Sequence, residues 1–154
     1  MLPWKQRLYL YGINGVFIEM LFTCVYDQIM IKPHQALIGY SSAWSFLVFG
    51  LGAFCVCEPI YYYCHDHLRL SLPLRLVLYV LMIYAWEFMW GMLLFPWGAN
   101  SWEYTYKYSF MGAITLEYAP FWALGALYFE FIMSYLKQIE EIPTWRKASI
   151  KKTN

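Results

Sequence analysis

Apolar residues run along this chain in four long blocks, at about 8–30, 42–63, 74–95 and 111–136, each separated from the next by a short polar or turn-forming stretch. Each block is near the ~20 residues that a helix needs to cross ~30 Å of hydrocarbon. None alternates apolar and polar positions with the period of two that marks a half-buried strand. The pattern predicts an all-α, polytopic membrane protein: a bundle of four transmembrane helices, then a basic tail over 137–154. The breaks carry suitable chemistry, in Lys32-Pro33-His34, His65-Asp66-His67-Leu68-Arg69 and Pro96-Trp97-Gly98-Ala99-Asn100. Pro59 falls inside the second block and should kink it near its end. The first block holds Glu19 and Asp27 and is followed by no small-residue cleavage site, so it reads as a retained signal anchor.

Composition agrees. Of 154 residues 61% are hydrophobic and only 14% charged, against about 25% charged in a soluble domain. So few charges could not coat a soluble fold, whereas lipid is itself an apolar solvent. The net charge of +1 leaves no basic excess for nucleic acid. Three of the four cysteines, Cys24, Cys55 and Cys57, lie within apolar blocks and Cys64 ends one, so no disulfide framework is expected. Small apolar fillers are the reading for these thiols, with Cys64 placed where palmitoylation at the membrane edge could also occur.

The position of the cations sets the orientation. Lys5 and Arg7, then Arg69 and Arg75, then Lys137, Arg146, Lys147, Lys151 and Lys152 give nine on one side, against Lys32 and Lys107 on the other. The positive-inside rule then places the N-terminus, second loop and C-terminus in the cytosol. Trp4, Trp44, Trp97, Trp102 and Trp145 fall near the expected interfaces, while Trp86, Trp90 and Trp122 read as packing residues. Lys151 and Lys152, third and fourth from the C-terminus, resemble a dilysine retrieval signal, so residence in the endoplasmic reticulum is expected. The alternative is a basic tail resting on anionic lipid.

Carboxylates inside the blocks are the most informative residues: Glu19, Asp27, Glu58, Glu87, Glu117 and Glu130. An ionised group at mid-bilayer costs ~2.5–3.5 kcal/mol on insertion scales, so such groups turn inward, pair or stay neutral. At ~1.5 Å per residue, Glu58 and Glu130 lie near the cytosolic face, within reach of Arg69, Arg75 and Lys137. Glu19 falls near mid-helix. Glu87 and Glu117 fall at similar depth in the outer half, which holds no Lys or Arg within a block. Their helices are therefore expected to face one another and the two carboxyls to share one polar site. Interhelical hydrogen-bond glue and a substrate, proton or headgroup site both remain open for this set. Ala119 and Ala123 allow close helix approach under either reading.

No P-loop, nucleophile elbow or H-E-x-x-H metal motif is present, so neither an enzyme nor a cofactor is expected. His65-Asp66-His67 beside Cys64 is the nearest approach to a ligand cluster, and it reads as a solvated loop with no metal.

Several segments are distinctive as words. They are Tyr9-Leu10-Tyr11-Gly12-Ile13-Asn14-Gly15-Val16-Phe17-Ile18-Glu19, Trp86-Glu87-Phe88, Trp102-Glu103-Tyr104 and Phe110-Met111-Gly112-Ala113-Ile114-Thr115-Leu116-Glu117-Tyr118-Ala119. Together they resemble the transmembrane protein 229 family, over roughly residues 8–130, and a bacterial group labelled as putative ABC-transporter permeases. The resemblance implies a four-helix multi-pass protein, and it falls on Glu19, Glu58, Glu87, Glu117 and Glu130. The expectation is therefore a small accessory subunit of a larger membrane complex in the endoplasmic reticulum, one that handles lipid. A transporter or permease component with an intramembrane carboxylate site is the alternative.

Overall fold

Pro3 opens the first helix by accepting from the backbone N–H groups of Gln6 and Arg7, and α1 runs from there over Trp4–Tyr26. The computed structural model describes residues 2–26, 28–29 and 36–139. Asp27, the Lys32-Pro33-His34 break and the tail bearing Lys151 and Lys152 lie outside them. Ser42 caps the second helix, its hydroxyl accepting from Ser45 N at 3.2 Å. That helix, α2, spans Ala43–His67. Two stretches of it, Ala53–Cys57 and Tyr61–His67, are wound as wider π turns on either side of Pro59. Proline has no N–H to give and its ring collides with the carbonyl four residues back. Wider turns are how a helix passes such a residue without ending.

The third helix, α3, covers Leu72–Leu94 with Pro73 in its first turn. A 3₁₀ turn at Phe95–Trp97 extends it to Gly98, whose left-handed φ of 61° stops it. The chain then forms a two-stranded antiparallel hairpin, β1 at Ser109–Phe110 and β2 at Ile114–Thr115. Met111 and Gly112 turn it with φ of 52° and 68°. A 3₁₀ turn at Leu116–Tyr118 leads into α4, Ala119–Gln138. Four segments are thus long and apolar enough to cross a membrane, as the apolar blocks predict.

Three boundaries differ from expectation. α1 begins four residues before the apolar block, because Trp4, Lys5, Gln6 and Arg7 make its first turn at an interface rather than in hydrocarbon. His65-Asp66-His67 belongs to the last turns of α2 rather than to a loop, with Asp66 accepting from Lys137 Nζ at 2.5 Å. The fourth span does not begin at 111, since the apolar stretch there folds back as the hairpin. Cys64 is buried, which removes it as an accessible acylation site, and all four thiols are free.

α1 and α2 cross at glycines. A Cβ placed on Gly50 would lie 3.2 Å from the Gly12 Cα, so the two backbones touch. This pair makes the close approach that small residues permit in membranes. Tyr11, Tyr79 and Met133 fill the centre, while Phe17, Leu81 and Phe131 point outward, as lipid contact requires.

The two halves repeat one another. Arg7, Tyr11 and Glu19 of α1 recur 68 residues later as Arg75, Tyr79 and Glu87 of α3, within Arg7-Leu8-Tyr9-Leu10-Tyr11 and Arg75-Leu76-Val77-Leu78-Tyr79. Both helices are 23 residues long. Glu58 of α2 recurs 72 residues later as Glu130 of α4. The contacts recur with the residues. Each arginine forks onto the glutamate of its own hairpin and donates Nη1 to the carbonyl five residues back, Leu2 or Leu70. The fold is a helical hairpin used twice.

Candidate functional site

The five expected acids separate into three kinds. Glu58 and Glu130 are fasteners at the end of the bundle where residues 2 and 139 lie. Arg7 meets Glu58 at 2.9 and 3.2 Å and Tyr11 donates to it at 2.9 Å. Arg75 meets Glu130 at 2.7 and 2.9 Å and Tyr79 donates at 3.1 Å. Every carboxylate oxygen there has a donor, and all four charged side chains are nearly buried. These acids are used up in holding helices together. Arg75 is the partner expected for Glu130, but Glu58 is met by Arg7 from the neighbouring helix, and Lys137 pairs with Asp66 instead.

Glu117 is the second kind. It accepts from the Thr115 hydroxyl and from the Tyr108 backbone N–H at 3.1 Å, so it ties the base of the hairpin. Among the described residues it has no hydrogen bond to Glu87 and shares no hydrogen-bond partner with it. The expected shared site of Glu87 and Glu117 is therefore not formed. The fold-back of Met111–Thr115 puts Glu117 in the 3₁₀ turn before α4 rather than on a facing helix.

Glu19 and Glu87 are the third kind, and both line a cavity of about 450 Å³. All four helices and the connection after α3 contribute to its wall, with Trp86, Trp122, Tyr104 and Tyr128 prominent. Glu19 accepts from Ser41 Oγ at 2.5 Å. Glu87 is only 6% exposed and accepts from the Tyr104 hydroxyl at 2.6 Å through Oε1. Its Oε2 has no hydrogen-bond partner among the described residues, nor has the buried indole N–H of Trp122. The Trp122 indole N–H is nonetheless close enough to the Glu87 carboxyl to act on it as a hydrogen-bonding neighbour. Among the described residues no Lys, Arg or His lines the space.

Tyrosines close the cavity at the end away from the arginine clasps. Tyr104 packs on Tyr118 with centroids 4.9 Å apart, and Tyr26 and Tyr106 hydroxyls meet at 2.5 Å. Burial, and secondarily the neighbouring Glu87, pushes the Tyr104 phenol far above its usual range, so it stays a donor. Trp102 Nε1 donates to Ala113 O at 3.0 Å and fixes this cap to the hairpin. Among the described residues no three His, Cys, Asp or Glu side chains gather where they could hold a metal.

No protein-family model matches the chain, and no solved structure matches it.

Sequence reasoning located Glu19 and Glu87 but missed Tyr104 and Trp122 as their surroundings, and Arg7 as the partner of Glu58. The signal for Arg7 was the repeated Arg-Leu-x-Leu-Tyr. The signal for Tyr104 was weaker: a connection unusually rich in tyrosine beside a lone deep acid.

Proposed function

We propose that this chain is a multi-pass membrane protein of the endoplasmic reticulum that holds a lipid or similar amphiphile between its two hairpins, as a lipid-handling subunit of a larger assembly. One observation carries the reading: a cavity of about 450 Å³ with apolar and aromatic walls, lined by a nearly buried Glu87 whose Oε2 closes no hydrogen bond among the described residues. Cavities of this kind, mostly apolar with few placed polar groups, are where small molecules bind. An unsatisfied buried acceptor costs ~1–3 kcal/mol, which a bound donor would relieve. The nine-to-two division of Lys and Arg supports an orientation with both termini cytosolic and the cavity toward the far leaflet.

Gly125 provides the test. It lines the cavity, and a Cβ there meets no atom within 4 Å. Gly125→Leu should fill the space while raising helix stability by up to ~1 kcal/mol. Extraction in polymer nanodiscs followed by native mass spectrometry should find an amphiphile retained by the wild type and lost from Gly125→Leu. Equal lipid content in the two would sink the reading.

Residence rests on Lys151 and Lys152. Changing both to serine should move the protein to later compartments in fractionated cells. An unaltered distribution would remove the dilysine signal as the cause.

A further inference from the structure

We infer that the cavity takes the cationic head of a long-chain amine, held between Glu19 and Glu87, two positions made equivalent by the internal repeat. This rests on the cavity being an amphiphile site and adds the chemistry of the head.

The repeat shows why these acids belong together. Shifted by 68 residues, Ile18-Glu19 falls on Trp86-Glu87; shifted by 72, Phe49 falls on Phe121. All six residues line the one cavity. Counterpart positions of the two hairpins thus face a common space, which lies at the boundary between the halves. Proteins built from repeated membrane units commonly place their substrate sites at that boundary. Glu19 and Glu87 also share their second contact, a hydroxyl from the connection that follows their helix, Ser41 Oγ in one half and Tyr104 Oη in the other.

Charge then selects the head. Among the described residues two carboxylates and no Lys, Arg or His line the space. A phosphate, sulfate or carboxylate head would meet only like charge there. As a carboxylate Glu87 accepts through its open Oε2, so the partner that would suit it is a donor. An ammonium supplies donors and positive charge at once, and the surrounding indole and phenol rings offer faces that attract a cation. A neutral alcohol could donate to Oε2, but it would gain neither the ring attraction nor the charge-assisted bond. The two poles differ in depth. Glu87 is 6% exposed whereas Glu19 is half-buried, so Glu87 is the deeper contact and should dominate affinity.

Photoreactive hexadecylamine, hexadecanol and palmitate, equal in chain length, test this in nanodiscs containing the full chain. Saturable labelling by the amine should need at least ~10-fold less probe than labelling by the alcohol, the scale of one charge-assisted hydrogen bond. Palmitate should not compete. Glu87→Gln should abolish the preference for amine, bringing its labelling down to that of the alcohol, and an unfolding midpoint like that of the wild type shows that the variant is folded. Glu19→Gln should weaken the preference less. If amine and alcohol label alike in the wild type, or if Glu87→Gln lowers both equally, the ammonium assignment is wrong while the amphiphile cavity stands. If none of the three probes labels saturably, the amphiphile cavity itself fails.

Discussion

Arg75→Met should destabilise the bundle by about 3–5 kcal/mol, the cost of breaking one side of a buried ion pair. The change removes two donors to Glu130, at 2.7 and 2.9 Å, and a third to the Leu70 carbonyl at 2.5 Å. Glu130 would keep only the Tyr79 hydroxyl, and its side chain is 11% exposed, so little water can replace the guanidinium. The double change Arg75→Met, Glu130→Leu should recover most of the loss, because no charge is then left buried without a partner. Unfolding titrations in bicelles would measure both. A single variant as mild as the double would mean that the pair contributes nothing beyond packing. The repeat extends the expectation to Arg7→Met, whose target Glu58 is equally enclosed.

Gly50→Leu should cost ~3 kcal/mol, at the upper end for overpacking a close contact. At Gly12 and Gly52 a new Cβ would meet the ring of Phe46 or Trp86, which can turn away. At Gly50 it meets backbone: the Gly12 Cα at 3.2 Å, the Gly12 N at 3.3 Å and the Leu8 O at 3.3 Å. The three further carbons of leucine have no route except between the helices, so α1 and α2 must separate. Gly125→Leu is the matched control, the same substitution in open space. Equal effects at the two glycines, in the same unfolding assay, would show that helix propensity rather than the crossing governs both.

The four spans were legible because hydrocarbon imposes one rule on every residue it touches, and apolar runs of sufficient length record it directly. Their ends were less so. Hydropathy begins to count at Leu8, but the helix begins where Pro3 accepts the first backbone N–H groups. At the fourth span, Phe110 to Leu116 is as apolar as a helix entrance, yet Gly112 at φ 68° reverses the chain. An apolar stretch can satisfy its backbone as a hairpin as well as a helix, and composition does not tell them apart. That reversal also undid the pairing of Glu87 with Glu117, which depended on depth counted along an unbroken helix. For Glu58 the error lay in the candidates: depth selects Arg69, Arg75 and Lys137, and leaves out Arg7, 51 residues away on the first helix. Comparing the chain with itself would have found it. The cavity was not legible at all, since an empty space is a property of how helices tilt and not of any one segment.

The arginine clasps bear on how the chain enters a membrane. Each closes within one hairpin, Arg7 with Glu58 and Arg75 with Glu130. During synthesis α2 emerges directly after α1, so the first guanidinium meets its carboxylate before any of α3 exists. The second hairpin then inserts with its own counter-ion already at hand. Neither half needs to wait for the other to neutralise its arginine, and the bundle can be assembled from two hairpins docked in lipid.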